Sequence, residues 1–367
     1  MPKHLKDYMV IGLCGTVLLG FSLGSILLPD QETSLTERRR LAQAPECTLG
    51  TISDGSFMSK FEDYALDQFP LRDRFRSLKA LVSLNVMQKK DNHDIYIADQ
   101  FVSKLDYPLS DSSLLYAADV FSNIYDRYLA DSGCTTYLSI IPDKNYFLAE
   151  KNGYPALDYE QLVQKLTSEM PYASYIDIFP CLDIDDYYRT DTHWKQEALG
   201  AVAIALTQQM QAPYSNNHST VAIHTPFYGV YYGQSALSMQ PDQICKIVKP
   251  CHDRCTITDL ETNSQMEMYD MEKLNEADPY EMYLSGSKSL IHIENPSAQG
   301  EKQLILFRDS FGSSLAPYLT SSYQSIYLVD IRYIHPNLLG QLIDFSDSDV
   351  LFLYSSLILN NSTTLKK

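Results

Sequence analysis

The sequence predicts an α/β protein, a parallel sheet flanked by helices, with a β-rich insertion and a transmembrane helix at its amino terminus. Short apolar runs at 135–141, 303–307, 325–329 and 350–354 alternate with helix-compatible segments, the order that builds a parallel sheet. Residues 213–285 switch to Tyr, Gly, Thr and Val with frequent turn residues, as a β-rich insertion would. Tyr8 to Leu28 is a 21-residue run without Asp, Glu, Lys or Arg, long enough to cross a bilayer as a helix.

Lys3 and Lys6 precede that run as in a signal sequence, but it ends Ile26-Leu27-Leu28-Pro29 with no small-x-small cleavage site. The expectation is an uncleaved anchor, residues 1–30. Arg38, Arg39 and Arg40 compete with Lys3 and Lys6 under the positive-inside rule, yet a long following domain overrides that count. A single-pass cell-membrane protein with its domain outside the cytoplasm follows. Gly12, Thr16, Gly20 and Gly24 recur every four residues, a face of small side chains that another membrane helix can approach. The ordinary frequency of glycine in such helices explains them equally well.

Residues 31–55 read as a linker, 56–358 as a catalytic domain and 359–367 as a tail. Helical spacing predicts two helices between Phe57 and Lys90, joined at Phe69-Pro70-Leu71, and a third from Ser112 to Asp131. Strand Thr135–Ile141, helix Tyr159–Met170, strand Ser174–Ile178 and a helix over Lys195–Gln211 come next. After the insertion, the three remaining apolar strands alternate with helices at Ser313–Leu319 and Pro336–Asp344.

Composition narrows the function. Lys plus Arg number 29 against 46 Asp plus Glu, a formal charge of −17. Nucleic-acid binding rests on clustered cations that neutralise phosphates, so that class is excluded as an expectation. Six of the seven cysteines lie beyond the anchor, an even number that suits disulfides in an oxidising compartment. Cys245, Cys251 and Cys255 beside His252 invite a zinc reading, but their spacing fits no common ligand pattern, so no metal and no cofactor is expected.

Two runs place reactive side chains at predicted strand ends, where α/β sheets build their sites. One is Arg189-Thr190-Asp191-Thr192-His193-Trp194; the other is Phe307-Arg308-Asp309-Ser310-Phe311-Gly312. Ser310, at a strand-to-helix turn, can present its hydroxyl while its own N–H and those of the next turn face a developing oxyanion. A serine hydroxyl needs a base, and an imidazole oriented by a carboxylate is the usual one. Asp191 and His193, two apart, supply both. Taken singly, Asp191 reads equally as a helix cap, His193 as a core residue and Asp309-Ser310 as a turn; their joint occurrence favours a site.

These residues carry a resemblance. Asp191 to Trp194, with Tyr187-Tyr188-Arg189-Thr190 before and Ala198-Leu199-Gly200-Ala201 after, resembles the signature of the DHHW protein family and of alginate O-acetyltransferases, which are SGNH hydrolase-like. Asp67-Gln68-Phe69-Pro70-Leu71-Arg72, Pro142-Asp143-Lys144, Tyr283 with Gly286-Ser287-Lys288-Ser289, Asp309-Ser310-Phe311 and Asp330-Ile331-Arg332-Tyr333 are similar to family segments, so the likeness runs from about 35 to 356. Thr192 stands where the family name has its first His, and the alginate-modifying relatives are similar in having a residue other than His there.

The resemblance implies Ser310 as nucleophile, His193 as general base and acid, and Asp191 as its orienter. It implies transfer of acetyl through an acyl-serine to an exopolysaccharide or cell-wall polymer, with acetyl supplied by a polytopic membrane-bound O-acyltransferase. Arg332, Lys144 and Lys288 are candidates for gripping an anionic acceptor, against a salt bridge or solvated charge as the plain alternative. Among the 27 tyrosines, Tyr228, Tyr231 and Tyr232 beside Phe227 and Gly229 form either a sugar platform or, more in keeping with such clusters, a β-core. Two other functions fit the same residues: a carbohydrate esterase with water as acceptor, and a non-catalytic glycan-binding or scaffold subunit of an envelope polymer complex.

Overall fold

The computed structural model of the chain describes residues 3–34 and 36–367, and these fall into two compact units. The first comprises residues up to 92 together with 233–238; the second comprises 93–232 and 239–367. Helical residues 56–81, expected within the catalytic domain, thus belong with the amino-terminal segment.

In the first unit, α1 (Lys3–Leu27) contains a 23-residue stretch, Leu5–Leu27, of mean hydropathy 2.1, long and apolar enough to cross a membrane. The expected linker is structured. Strands β1 (Thr33–Ser34) and β2 (Arg39–Arg40) pair antiparallel, and the short helix α2 (Leu49–Ser53) follows. Helices α3 (Ser56–Asp67) and α4 (Arg72–Leu81) break where Pro70 predicts, with Leu71 in the left-handed region at φ 59°, and α4 runs on into a π-helical turn, Val82–Val86. Asp67 clasps this unit: it accepts from Arg39 Nη2 at 2.5 Å and from the Ala42 N–H at 2.9 Å. The Arg39 bond holds its carboxyl down at about 2.

The second unit opens with the hairpin β3 (Ile95–Ala98) and β4 (Phe101–Lys104), then α5 (Asp111–Ile124), β5 (Thr135–Ile141), α6 (Lys144–Leu148), α7 (Tyr159–Glu169) and β6 (Ser174–Tyr175). Next come α8 (Gly200–Gln209), β7 (Ser219–Phe227), α9 (Val230–Ser235), β8 (Asp242–Val248), β9 (Thr256–Asp259), β10 (Ser264–Met266) and β11 (Leu290–Glu294). The chain closes with β12 (Gln303–Arg308), α10 (Phe311–Leu319), β13 (Ser325–Val329), β14 (Asp349–Ser355) and α11 (Ser356–Asn360).

Eight strands form one sheet in the order β10-β9-β11-β13-β12-β14-β5-β6. From β13 to β6 all pairs are parallel, as the sequence pattern predicts; β11, β9 and β10 extend the other edge antiparallel. The stretch 213–285 is therefore only partly an insertion, since β7 and β8 pair as a separate hairpin while β9 and β10 complete the main sheet. Alternation along β12 and β14 sorts the core: Leu304, Leu306, Leu351 and Leu353 pack with α8 and α10, while Ile305, Phe307, Val350 and Phe352 pack with α5 and α7. Both faces are covered, which is why these strands read as continuous apolar runs. Residues 359–367, expected as a tail, are partly core, with Leu359 and Leu365 buried and Ser362 bonded to Ser113.

After β12 the chain goes to β13 on one side, then returns to β14 on the other. That reversal opens a crevice at the carboxyl end of β12, where ligands bind in sheets of this class. Ser310 sits there.

Candidate active site

Ser310 begins the turn from β12 into α10 and is half-buried, with φ −60° and ψ −25°. Its side chain makes no cap bond to the helix; instead Oγ lies 2.8 Å from His193 Nε2. His193 Nδ1 lies 2.6 Å from Asp191 Oδ1. Because a carboxylate only accepts, Nδ1 carries the proton, and Nε2 is left to accept from the serine hydroxyl. The three residues named from sequence thus form one hydrogen-bonded chain.

The loop that carries Asp191 and His193 is closed at its base by a bridge between Tyr187 and Trp194 and is gripped on both sides. Trp194 Nε1 donates to the Phe311 carbonyl at 3.1 Å and to Ser314 Oγ at 2.9 Å, tying the residue after the histidine to the turn after the serine. Tyr280 lies flat on the imidazole, ring centroids 3.7 Å apart and planes 7° apart, and its hydroxyl also meets Ser314 Oγ at 2.9 Å. Burial raises the Tyr280 phenol well above its usual pKa, so it stays neutral beside the histidine.

From the other side, the β7–β8 hairpin holds the carboxylate. Asp242, at the start of β8, accepts from the N–H groups of Arg189 and Thr190 at 3.0 and 2.9 Å and from Thr190 Oγ1 at 2.7 Å. The Val230 N–H, just after β7, donates to Asp191 Oδ2 at 2.9 Å. Gly229 makes this approach feasible: a Cβ there would fall 2.2 Å from that of Asp191.

The nucleophile turn is fixed by Asp309, whose Oδ1 accepts from the Phe311 N–H at 3.0 Å and whose Oδ2 accepts from the Ser355 N–H at 2.8 Å, joining β12 to the end of β14. The Gly312 and Ser313 N–H groups donate to the Asp309 and Ser310 carbonyls. The expected cradle of several N–H groups in the turn therefore narrows to Ser310's own N–H. Gly312 is required by packing, because a Cβ would sit 2.7 Å from that of Arg308.

The three candidate cations are each engaged by partners within the protein. Lys144 is 1% exposed, so it cannot meet an acceptor in solvent; its ammonium donates to the carbonyls of Val102, Tyr188 and Arg189, bracing the base of the Asp191 loop. Burial pulls its pKa down to about 7, against the opposing pull of Asp191, Asp242 and Asp143. Arg332 gives Nε and Nη2 to Asp330 at 2.9 and 2.6 Å, the salt-bridge alternative. Lys288 pairs with Asp259 at 3.0 Å. In the tyrosine cluster Phe227 and Tyr231 are buried, as a β-core requires, while Tyr228 is exposed and packs on Tyr232. All seven cysteines are free thiols.

Sequence reasoning missed Tyr280, Asp242 and Gly229 as site residues. Gly229, a glycine inside the aromatic-rich run 227–232, carried a local signal; Asp242 and Tyr280 meet the loop only through tertiary structure.

Comparison with known proteins follows the same segment. Residues 182–329 match the DHHW protein family model. That span includes Asp191, His193 and Ser310. A crystal structure of a DHHW family protein from Eubacterium siraeum is similar at a TM-score of 0.59 and 18% identity, over 76% of this chain and 97% of that one. PatB1 of Bacillus cereus, solved with a sulfonyl adduct, gives 0.58 and 18%, over 74% and 98%. The O-acetyltransferase domain of Pseudomonas putida AlgJ gives 0.43 and 14%, over 72% and 92%. No curated protein sequence matches the chain. The fold is shared with the Eubacterium siraeum protein and with PatB1, and the resemblance to the DHHW family holds over residues 182–329.

Proposed function

We propose that the chain is a membrane-anchored, extracytoplasmic O-acetyltransferase that moves acetyl through an ester on Ser310 to a hydroxyl of an exopolysaccharide or cell-wall polymer. The observation that carries this reading is the hydrogen-bonded chain from Ser310 Oγ through His193 to Asp191 at the crevice end of β12. His193 Nε2 takes the Oγ proton as the oxygen attacks the acetyl carbonyl, and the Ser310 N–H faces the oxyanion. Collapse of the tetrahedral centre breaks the bond to the donor, whose leaving oxygen receives that proton. A sugar hydroxyl then gives its proton to Nε2, attacks the acyl carbon and releases Ser310 as the proton returns to Oγ. Asp191 orients the ring and stabilises the imidazolium throughout.

The sequence resemblance to alginate O-acetyltransferases supports acetyl as the group and a polysaccharide as the acceptor. A polytopic membrane-bound O-acyltransferase is the proposed source of acetyl, and α1 the anchor that holds the two together. On α1, a Cβ added at Gly12 or Gly20 would meet no atom of the described residues outside its own helical turn within 4 Å, leaving part of the small-residue face open to such a partner.

The test is full-length protein in detergent with a chromogenic acetyl ester, alone and with glycan acceptors. The expected result is an acetyl mass increment on the peptide containing Ser310, ester turnover abolished in Ser310→Ala and His193→Ala, and acetylated glycan when acceptor is present. Acetate as the sole product with every acceptor would make the enzyme an esterase. Folded wild type that neither turns over nor labels would overturn the reading.

A further inference from the structure

Helices α3 and α4 expose apolar rows in a chain whose formal charge is −17. On α4, Leu71, Phe75, Leu78 and Val82 follow a spacing of four, three and four residues, one face of a helix; Leu71 is 56% and Leu78 55% exposed. On α3, Met58, Phe61 and Ala65 lead to Phe69 at a spacing of three, four and four residues, again one helical face, and Met58 is 65% exposed. The polar side of α4 is already occupied, since Arg72 pairs with Glu37, and Arg76 lies 3.3 Å from Glu37 and donates to the Gly233 carbonyl at 2.9 Å. The exposed side of α4 carries this apolar row, with Asp73, Arg74 and Lys79 around it.

The same faces touch α1, and that contact gives their depth. Phe21 stacks on Phe69 with centroids 5.2 Å apart and meets Phe75 edge-on at 5.5 Å, while a Cβ on Gly24 would lie 3.1 Å from Pro70 Cγ. Phe21 lies six residues before Leu27, the end of α1; at 1.5 Å per residue that is about 9 Å along the helix. Phe69 and Phe75 are therefore level with a point about 9 Å inside the apolar span. Amphipathic helices that lie in a bilayer surface bury their apolar face to about 5–10 Å. Residues 72–90 also carry six Lys and Arg against one Asp; Arg72 and Arg76 face Glu37, while Arg74 and Lys79 are exposed on either flank of the apolar row, as in a helix that lies on anionic lipid.

We infer that α3 and α4 form an interfacial collar around the mouth of α1, with their apolar faces sunk into the leaflet where α1 ends and anionic lipid headgroups against their basic flank. The inference rests on α1 spanning the membrane and needs no choice of orientation. It reassigns Gly24, which fits against Pro70 of the same chain and so leaves the small-residue face offered to a partner helix.

Full-length protein is reconstituted into vesicles of phosphatidylcholine and phosphatidylglycerol as wild type, Leu78→Trp and Asp63→Trp; Asp63 lies on the polar side of α3. Trp194 is fully buried, so the wild type supplies the tryptophan baseline. Lipids brominated in the upper acyl chain should quench the added signal of Leu78→Trp severalfold more than that of Asp63→Trp, and aqueous acrylamide should show the opposite order. Acrylamide quenching of Leu78→Trp as free as that of Asp63→Trp, in protein that still floats with the vesicles, would overturn the collar while leaving the anchor intact. Shielding from both quenchers would overturn it in favour of a protein partner on that face. Protein that does not float would refute the anchor, and the collar with it.

Discussion

Asp242→Asn tests whether the β7–β8 hairpin holds the Asp191 loop in place. The two oxygens of Asp242 accept three hydrogen bonds, one from the Arg189 N–H on Oδ1 and two from Thr190 on Oδ2. An amide in either orientation sets its NH2 against at least one of those donors, so one charge-assisted bond is lost in a buried place and the charge that strengthened the others disappears. Such a loss costs about 1.5–3 kcal/mol. With a urea dependence of about 3 kcal/mol per molar for a domain of this size, the unfolding midpoint should fall by roughly 0.5–1 M. The single tryptophan, Trp194, is buried next to His193 and reads that transition directly. Thr190 also accepts the Gly229 N–H, so loosening it shifts the backbone that positions Asp191. If about 1.4 kcal/mol of that loss appears as misalignment of the imidazole, acylation of Ser310 slows tenfold. The assay is the rate of Ser310 sulfonylation by a sulfonyl fluoride, followed by intact mass, which needs neither acetyl donor nor glycan. An unchanged midpoint would refute the role of Asp242 as the anchor of this loop. A lowered midpoint with an unchanged labelling rate would refute the coupling from hairpin to nucleophile.

Gly229→Ala should reduce Ser310 labelling more severely than Asp242→Asn, because its Cβ would lie within 2.4 Å of three atoms of Asp191; wild-type reactivity in folded protein would show that the loop yields there. Tyr280→Phe keeps the ring on His193 and should label within threefold of wild type, whereas Tyr280→Leu loses a stack of about 0.5–1.5 kcal/mol and should slow roughly 2- to 13-fold. Equal losses in both would assign the effect to the hydroxyl instead. Lys144 has a folded pKa pulled below its unfolded value of 10.5 to about 7. From pH 7 to 10.5 the unfolded chain therefore binds the extra proton, and stability rises with pH across that window. Lys144→Met lacks this contribution, so the wild-type urea midpoint should gain on the variant between pH 7 and 9.5; parallel midpoints would refute the assignment.

The parallel half of the sheet is legible because strands buried on both faces leave continuous apolar runs, and 135–141 is recovered residue for residue. Strands β9 and β11 were hidden by the opposite cause. Each is four or five residues long, and Thr256, His292 and Glu294 break their apolar pattern, so partners distant in sequence decide their place. In the site, Asp191 and His193 are visible because two residues suffice to join carboxylate and imidazole locally. That His193 reaches Ser310, 117 positions on, follows only from the strand order. The misreading of Lys144 is instructive as well: a lysine after Pro142-Asp143 looks like surface charge, and nothing local shows that three carbonyls of the β4 and Asp191 segments close around it.

These placements converge on one design. Reversal of strand order at β12 leaves a crevice over Ser310, and Asp309 locks that turn to β14. The imidazole arrives on a loop that no strand of the main sheet carries, so its position has to be built from outside the sheet. Trp194 and Tyr280 build it from the α10 side, through a shared bond to Ser314; Asp242, Gly229 and Val230 build it from the hairpin. A hairpin that reads as a decorative insertion is thereby part of the reactive geometry, and its removal should silence Ser310 while leaving the sheet's parallel core able to fold.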